Sequence, residues 1–244
     1  MPAVPPNMKP MEIVPLGDSA LLVTLGDRID EANHARVRAA TLALEHARPP
    51  AVTEIVPAYA SVTVFYHPLQ AIAEGAPESD VAGWLAARVR ERLARLPSRP
   101  SVPAGRRWEI PVCYDADFAP DLPEIAARTG VSRDNIVAMH TQATFLVYLI
   151  GFAPGFPYLG GLPEQLSMPR RAESRKRVAP GSVGIIGTQC CVYPVETPGG
   201  WNLIGRTPMR LYRPESDRPA LLRAGDRVTF HAISRQEFDG WKES

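Results

Sequence analysis

The sequence predicts an α+β protein, a small N-terminal α+β sandwich followed by a β-barrel. Two observations carry the prediction. Over the first hundred residues, apolar stripes of helical period alternate with short strand-like runs. After the segment "LPSRPSVPAGRR" (96–107), rich in Pro, Ser and Arg and without periodicity, short strands separated by Gly and Pro take over. The expected division is therefore an N-terminal domain over 1–97 with a disordered tail at 1–10, a linker over 98–106, and a barrel over 107–244.

Each element has a local reason. Glu12 to Leu25 reads as a hairpin turning at Pro15-Leu16-Gly17-Asp18. Asp30 caps a helix whose stripe is Val37, Ala40, Leu44 and Ala47. "TEIVPAYASVTVFYHP" is strand, turn, strand, and Ser79 or Asp80 caps a second helix with Val81, Leu85, Val89, Leu93 and Leu96 on its buried face. Both helices are expected on one face of an antiparallel sheet. Beyond the linker, "WEIPVCY", "FLVYLIGF", "VGIIG", "CVYPV", "NLIG", "MRLY" and "DRVTFHAI" are the expected barrel strands. Two helices interrupt them: Leu122 to Thr129, with Asp121 and Glu124 as a capping pair and Gly130 as its stop, and Arg133 to His140, capped by Ser132.

Composition narrows the function classes. Of the 244 residues, 45% are hydrophobic and 22% charged, enough apolar material for a sizeable core. Twenty-seven basic residues against twenty-six acidic ones leave a net charge of +1, with no global field to recruit nucleic acid or an anionic membrane. No apolar stretch approaches the roughly 20 residues of a membrane helix. The start "MPAVPPNMKP" lacks the apolar core of a secretory signal, so a cytoplasmic protein is expected. Cys113 and the adjacent Cys190-Cys191 form no C-x-x-C and read as small buried hydrophobes in a reducing compartment. The five histidines lack metal-ligand spacing, and no metal is expected.

Among motifs, "DLPEIAARTGVSRDNIVAMHT" places Ala126, Gly130 and Ile136 as a helix-turn-helix would. Its second helix, however, offers Arg133 and Asn135 beside the acidic Asp134, a poor DNA-reading face. P-loop, H-E-x-x-H, G-x-S-x-G and dinucleotide fingerprints are absent. What remains is three glycine-rich loops: "GFAPGFPYLGG" (151–161), "RRAESRKRVAPGSVGIIGTQ" (170–189) and "YPVETPGGWNLIGRTP" (193–208). Proline and glycine argue against a regular helix or central strand through the first, so Phe152, Phe156 and Tyr158 are expected on a shaped loop, lining a pocket or meeting a partner. The second sets Arg170, Arg171, Arg175, Lys176 and Arg177 before Pro180-Gly181-Ser182, cations beside backbone amides that suit an anion.

These three ordered motifs, with the "VPLGDSALLVTLG" start and "VPAYASVTVFYHP", resemble the PxpB family of 5-oxoprolinase subunits, also known as allophanate hydrolase subunit 1 or KipI and as part of the carboxyltransferase domain of urea carboxylase. The resemblance covers nearly the whole chain. It implies a cyclophilin-like C-terminal barrel and a stable pairing with a homologous subunit (PxpC, or KipA). With a further subunit (PxpA), the complex would open the lactam of 5-oxoproline to glutamate at the expense of ATP, with magnesium, held by this chain or another. A lactam is an unreactive amide, and phosphorylating its oxygen would create a leaving group and an electrophilic carbon.

Carried onto this sequence, the motifs put Gly151, Phe152, Pro154, Gly155, Phe156 and Tyr158 in one wall of a site at the barrel mouth. Pro180 and Gly181 join a second wall, and Pro194, Gly199, Gly200 and Trp201 close it. The expected roles are Arg177 and Arg206 as anion clamps, the amides at Gly181-Ser182 as oxyanion donors, and Gln189 and Tyr193 as orienting groups. His140 stands as a general base or as a buried packing group. Family members of the KipI type, described as inhibitors of a sporulation histidine kinase, make a binding module the alternative, and a part in urea or allophanate metabolism a third. Cys190-Cys191 departs from the small or hydroxylated pair usual in the family.

Overall fold

Alternation of side chains along the N-terminal strands decides the first layer. The computed structural model describes residues 10–97 and 100–242, so residues 1–9 of the expected tail and Ser98-Arg99 of the expected linker lie outside the described residues. The chain divides into two compact units, the first ending at Pro103 and the second beginning at Ala104. In the first, strands β1 (Glu12–Pro15) and β2 (Ala20–Thr24) form the hairpin, helix α1 (Glu31–His46) follows, then β3 (Val52–Pro57), β4 (Ser61–Tyr66), α2 (Pro68–Ala73) and α3 (Val81–Leu93). The antiparallel sheet runs β1-β2-β4-β3. Its register sets Leu21 against Val64 and Val23 against Val62, all fully buried on one face. Helices α1 and α3 cover that face, with Val37, Ala40, Leu44, Leu85 and Val89 facing inward. Each of the valine and leucine side chains taken from water stabilises the unit by about 1.5–3 kcal/mol. Asp30 accepts from the Asn33 amide at 2.7 Å, and Asp80 rather than Ser79 caps α3, accepting from Gly83 at 2.9 Å. The short α2, which periodicity did not announce, starts at Pro68 under a His67 cap.

The second unit contains β5 (Arg107–Cys113), α4 (Leu122–Thr129), α5 (Arg133–Gln142), β6 (Thr144–Ile150) and β7 (Pro157–Gly160). It continues through β8 (Arg175–Val178), β9 (Ser182–Ile186), β10 (Gln189–Val192), β11 (Thr197–Gly199), β12 (Asn202–Arg206), β13 (Arg227–Ile233) and α6 (Arg235–Asp239). Seven strands close a barrel in the order β10-β7-β6-β13-β5-β12-β9, and β8 pairs with β11 as a separate ribbon. This is the expected α+β class with a closed barrel. All barrel pairs are antiparallel except β5 with β13, which run parallel from Arg107 beside Arg227 to Cys113 beside Ile233. Alternate residues Ile110, Val112, Phe145, Val147, Val183, Ile185, Val228 and Phe230 fill the interior. Helix α5 packs on β13, and Ile136 is buried in the same core, so the helical pair is a buttress of the barrel.

Four local expectations are corrected. A central strand, β7, does run through the first glycine-rich segment, between β6 and β10: Pro157 is its first residue, where no ladder donor is lost, and Gly160 leaves room for the Tyr148 ring, which a Cβ there would overlap. Arg175, Lys176 and Arg177 of the second segment lie on the ribbon strand β8, while Arg170 and Arg171 precede it. "MRLY" is not a barrel strand; it contributes one isolated bridge, Tyr212 to Ala220, while Leu211 is buried in the core. Asp121 makes no side-chain cap on α4, because its carboxylate is engaged elsewhere; Gly130 does end that helix, in the left-handed region at φ 71°.

Candidate functional site: an aromatic cleft on the barrel wall

Successive residues of a strand face opposite sides of a sheet, and that parity creates a second apolar cluster outside the barrel. Leu159, Cys190 and Val192 point into the barrel core, while their neighbours Tyr158, Cys191 and Tyr193 point outward. There they meet Phe156, Val178, Trp201 and Leu203. Phe156 is the hub, buried to 1% exposure, with its ring centroid 5.0 Å from Tyr158, 5.2 Å from Tyr193 and 6.1 Å from Trp201. Edge-to-face contacts of this kind add about 0.5–1.5 kcal/mol each beyond burial. The turn that delivers Phe156 is tied by three bonds: Gly151 N–H to the Phe156 carbonyl, Ala153 N–H to that of Gly151, and Phe156 N–H to that of Ala153. Pro154 is exposed on this turn and Gly155 is buried beside Tyr212.

Over this cluster lies a cleft of about 240 Å³. Phe152, Tyr158, Tyr193 and Trp201 form its ring-lined sides, Pro198-Gly199-Gly200 its edge, and Arg170 and Ser174 its polar part. It sits on the outer face of the barrel wall rather than at the mouth, since the strand residues lining it point away from the interior. Phe152 is 66% exposed at the lip and holds φ at 67°, a left-handed conformation unusual for a bulky side chain. Gly199 must lack a Cβ because one would overlap the Tyr193 hydroxyl. Burial pushes the Tyr193 phenol well up, with the Cys191 thiol adding to it, and raises Tyr158 for the same two reasons while Arg170 opposes. Both phenols therefore stay protonated.

The arginines of the second segment divide by partner. Arg171 and Arg175 donate to one oxygen of Asp121 at 2.8 and 2.7 Å, and its other oxygen accepts the Leu203 amide at 2.6 Å. Asp121 is 4% exposed, so this is a nearly buried cluster that fastens the ribbon segment to β12. The Arg171 amide also donates to the Gly200 carbonyl and Arg175 to that of Trp201, which fixes one edge of the cleft. Arg177 is largely exposed and pairs with Glu196 at 2.7 Å. Arg170 alone of these lines the cleft, and its guanidinium makes no hydrogen bond or ion pair among the described residues.

Other expected site residues fall elsewhere. The Gly181 amide donates to the Tyr193 carbonyl and the Ser182 amide to that of Ala179, so neither is an available oxyanion donor, which corrects that expectation. Arg177 and Arg206 do not line the cleft; Arg206 donates to the Pro180 carbonyl at 2.8 Å and lies over the Phe118 ring. Pro180 is exposed at that turn, Pro194 is half-buried after β10, and Gln189 begins β10 opposite Gly160. His140 lies wholly in the barrel core, stacked on Phe230 with centroids 4.5 Å apart. Its Nδ1 is 2.7 Å from the Tyr114 hydroxyl and its Nε2 3.4 Å from the Cys190 sulfur. Burial lowers its pKa to about 3, so it is a neutral packing group and not a base at the cleft. Sequence reasoning noted Arg170 only as one cation of five and passed over Ser174; the clue was Gly200, whose missing side chain makes room for both.

A seven-strand barrel with an aromatic cleft on its outer wall, accompanied by a four-strand α+β unit, defines the class of chain. Residues 11–222 match the model of the carboxyltransferase domain, subdomain C and D, and the chain belongs to that family. It is 41% identical over 234 residues to the B subunit of 5-oxoprolinase from Bacillus subtilis (strain 168), covering 95% of this chain and 97% of the relative. The protein of that name from Escherichia coli O157:H7 is 40% identical over 215 residues, 88% of this chain and 93% of the relative. Among solved structures, TTHA0988 superposes with a TM-score of 0.74 at 34% identity over 88% of this chain. This chain spans 40% of the length of TTHA0988.

Proposed function

We propose that this chain is a non-autonomous subunit of a cytoplasmic, ATP-dependent 5-oxoprolinase complex, paired with a homologous second subunit and assisted by a third. The observation that carries the reading is the correspondence with two proteins named as the B subunit of 5-oxoprolinase, over nearly the full length of both partners. The cleft is in keeping with it. At about 240 Å³ it lies just below the range of about 300–1,000 Å³ typical of small-molecule sites, a size for a small ring. Opening a resonance-stabilised lactam needs an energy source, and ATP cleavage supplies it. The cleft itself offers a single guanidinium, less than the several cations and amides that a nucleotide triphosphate takes. In this reading ATP, with magnesium, is held by this chain or by another subunit, and the cleft contributes binding and orientation of the small substrate.

The test is ATP-dependent glutamate release from 5-oxoproline by the three co-expressed subunits of the source genome, with this chain present, omitted, or alone. Release is expected only with all three. Undiminished release without this chain would refute the reading.

A further inference from the structure

We infer that Arg170, with Ser174 and the ring-lined cleft, is a recognition site for the carboxylate of a small cyclic acid. The inference rests on the reading of the chain as an oxoprolinase subunit for the identity of that acid, and on the cleft alone for its chemical class.

The neighbouring arginines are already engaged, and Lys176 is exposed and does not line the cleft. Arg171 and Arg175 are consumed by Asp121, Arg177 by Glu196, and Arg206 by the Pro180 carbonyl. Arg170 is exposed and has no such partner among the described residues, and it lines an apolar, ring-lined depression. A Cβ placed on Gly200 would come within 2.8 Å of Arg170 Nε and 2.9 Å of Ser174 Oγ. Arg170 Nε and Ser174 Oγ thus stand side by side against the bare face of Gly200, a charged N–H donor and a hydroxyl at one edge of the cleft, the donor set a carboxylate takes. Gly200 itself is not in the left-handed region, so its lack of a side chain is explained by space rather than by backbone conformation.

The rest of the lining selects the body of the ligand. Tyr158 and Trp201, with centroids 6.0 Å apart, and Phe152 at the lip offer ring faces and edges to a compact apolar skeleton. With both phenols protonated, a single guanidinium is the only formal charge among the lining residues, which matches a monoanion and not a phosphate-rich ligand. Phe152 is exposed, strained and at the opening, well placed to fold over a bound ring.

The experiment compares binding of 5-oxo-L-proline, 2-pyrrolidinone, which keeps the lactam and lacks the carboxylate, and a panel of small cyclic carboxylates. Calorimetry on the full chain and on the assembled three-subunit complex is paired with glutamate-release kinetics. For the wild type, 5-oxoproline is expected to bind more tightly than 2-pyrrolidinone. Arg170→Gln should weaken 5-oxoproline by about tenfold to a hundredfold, the loss of one charge-assisted contact, and abolish its advantage over 2-pyrrolidinone. Arg170→Lys should recover part of it, and Gly200→Ala, which fills the cradle while keeping the charge, should weaken binding as well. In the complex, Arg170→Gln should raise KM with little change in kcat. Unchanged affinity and KM in Arg170→Gln would overturn the inference and leave the oxoprolinase reading standing. If the complex releases no glutamate, that reading fails, and the inference survives only if another cyclic carboxylate of the panel binds and loses affinity in Arg170→Gln. Absence of any Arg170-dependent carboxylate binding would overturn it.

Discussion

His140 shows how a polar side chain is made acceptable in a barrel core. The Cys190 thiol spends its proton on the Cys191 carbonyl at 3.8 Å, which assigns the tautomer with the proton on Nε2: Nε2–H then donates to the Cys190 sulfur and Nδ1 accepts from Tyr114 O–H, so the group is satisfied without water. The arrangement works only with a neutral ring. An unfolded histidine takes up a proton near pH 6.5, whereas His140 in the folded chain resists until about pH 3. Between those values the unfolded chain binds more protons, so this contribution is fully present above pH 6.5 and is lost as the pH falls toward 3. The total is on the order of 5 kcal/mol. Urea midpoints measured from pH 7.5 to 4 should fall more steeply for the wild type than for His140→Gln. Equal slopes would show that burial does not suppress protonation of the ring.

At the scale of elements, Asp121 decides whether the ribbon segment stays on the barrel. It stands before α4 yet spends its carboxylate on Arg171, Arg175 and the Leu203 amide. Asp121→Asn leaves Arg175 without its counter-charge and Arg171 with only the more distant Glu124 at 3.6 Å, and should cost about 3 kcal/mol, read as a lower urea midpoint for the barrel unit. It should also weaken ligand binding in the cleft, because the Arg171 and Arg175 bonds hold Gly200 and Trp201 in place. Much of this level was legible in the sequence. Asp30, Asp80, Ser132 and Gly130 announce helix ends by local chemistry, and the alternation in "VGIIG" and "CVYPV" announces strands. β7 was hidden because Pro157 and Gly160 are strand breakers in isolation, tolerated here by a strand start and by the Tyr148 ring. The cleft was half legible: its rings sit in the glycine-rich motifs, but which of several adjacent arginines is left unpaired depends on Asp121 and Glu196, acids that only the fold brings near.

For the molecule as a whole, the barrel's closure rests on one strand. β13 lies between β5 and β6 and pairs with both. Asp226, just ahead of it, accepts bonds from the Arg106 and Arg223 amides, the Arg106 guanidinium and the Trp108 indole. A chain stopped after residue 226 should keep a folded N-terminal unit and lose the barrel. Hydrogen exchange would check this, with protection expected in β2 and β4 and absent from β5 and β6; a protected barrel in the truncated chain would contradict it.

The parallel seam of β5 with β13 also sets a timetable for biosynthesis. Arg106 waits for a partner 120 positions further along the chain, so at about 5–20 residues per second a ribosome needs on the order of ten seconds to deliver it. Through most of that interval β5 lacks both its neighbours, β12 and β13, and after β12 arrives one flank is still a bare row of backbone donors and acceptors of the kind that invites pairing with other chains. The nascent protein is most exposed to aggregation, and most in need of a chaperone, just before its last strand emerges.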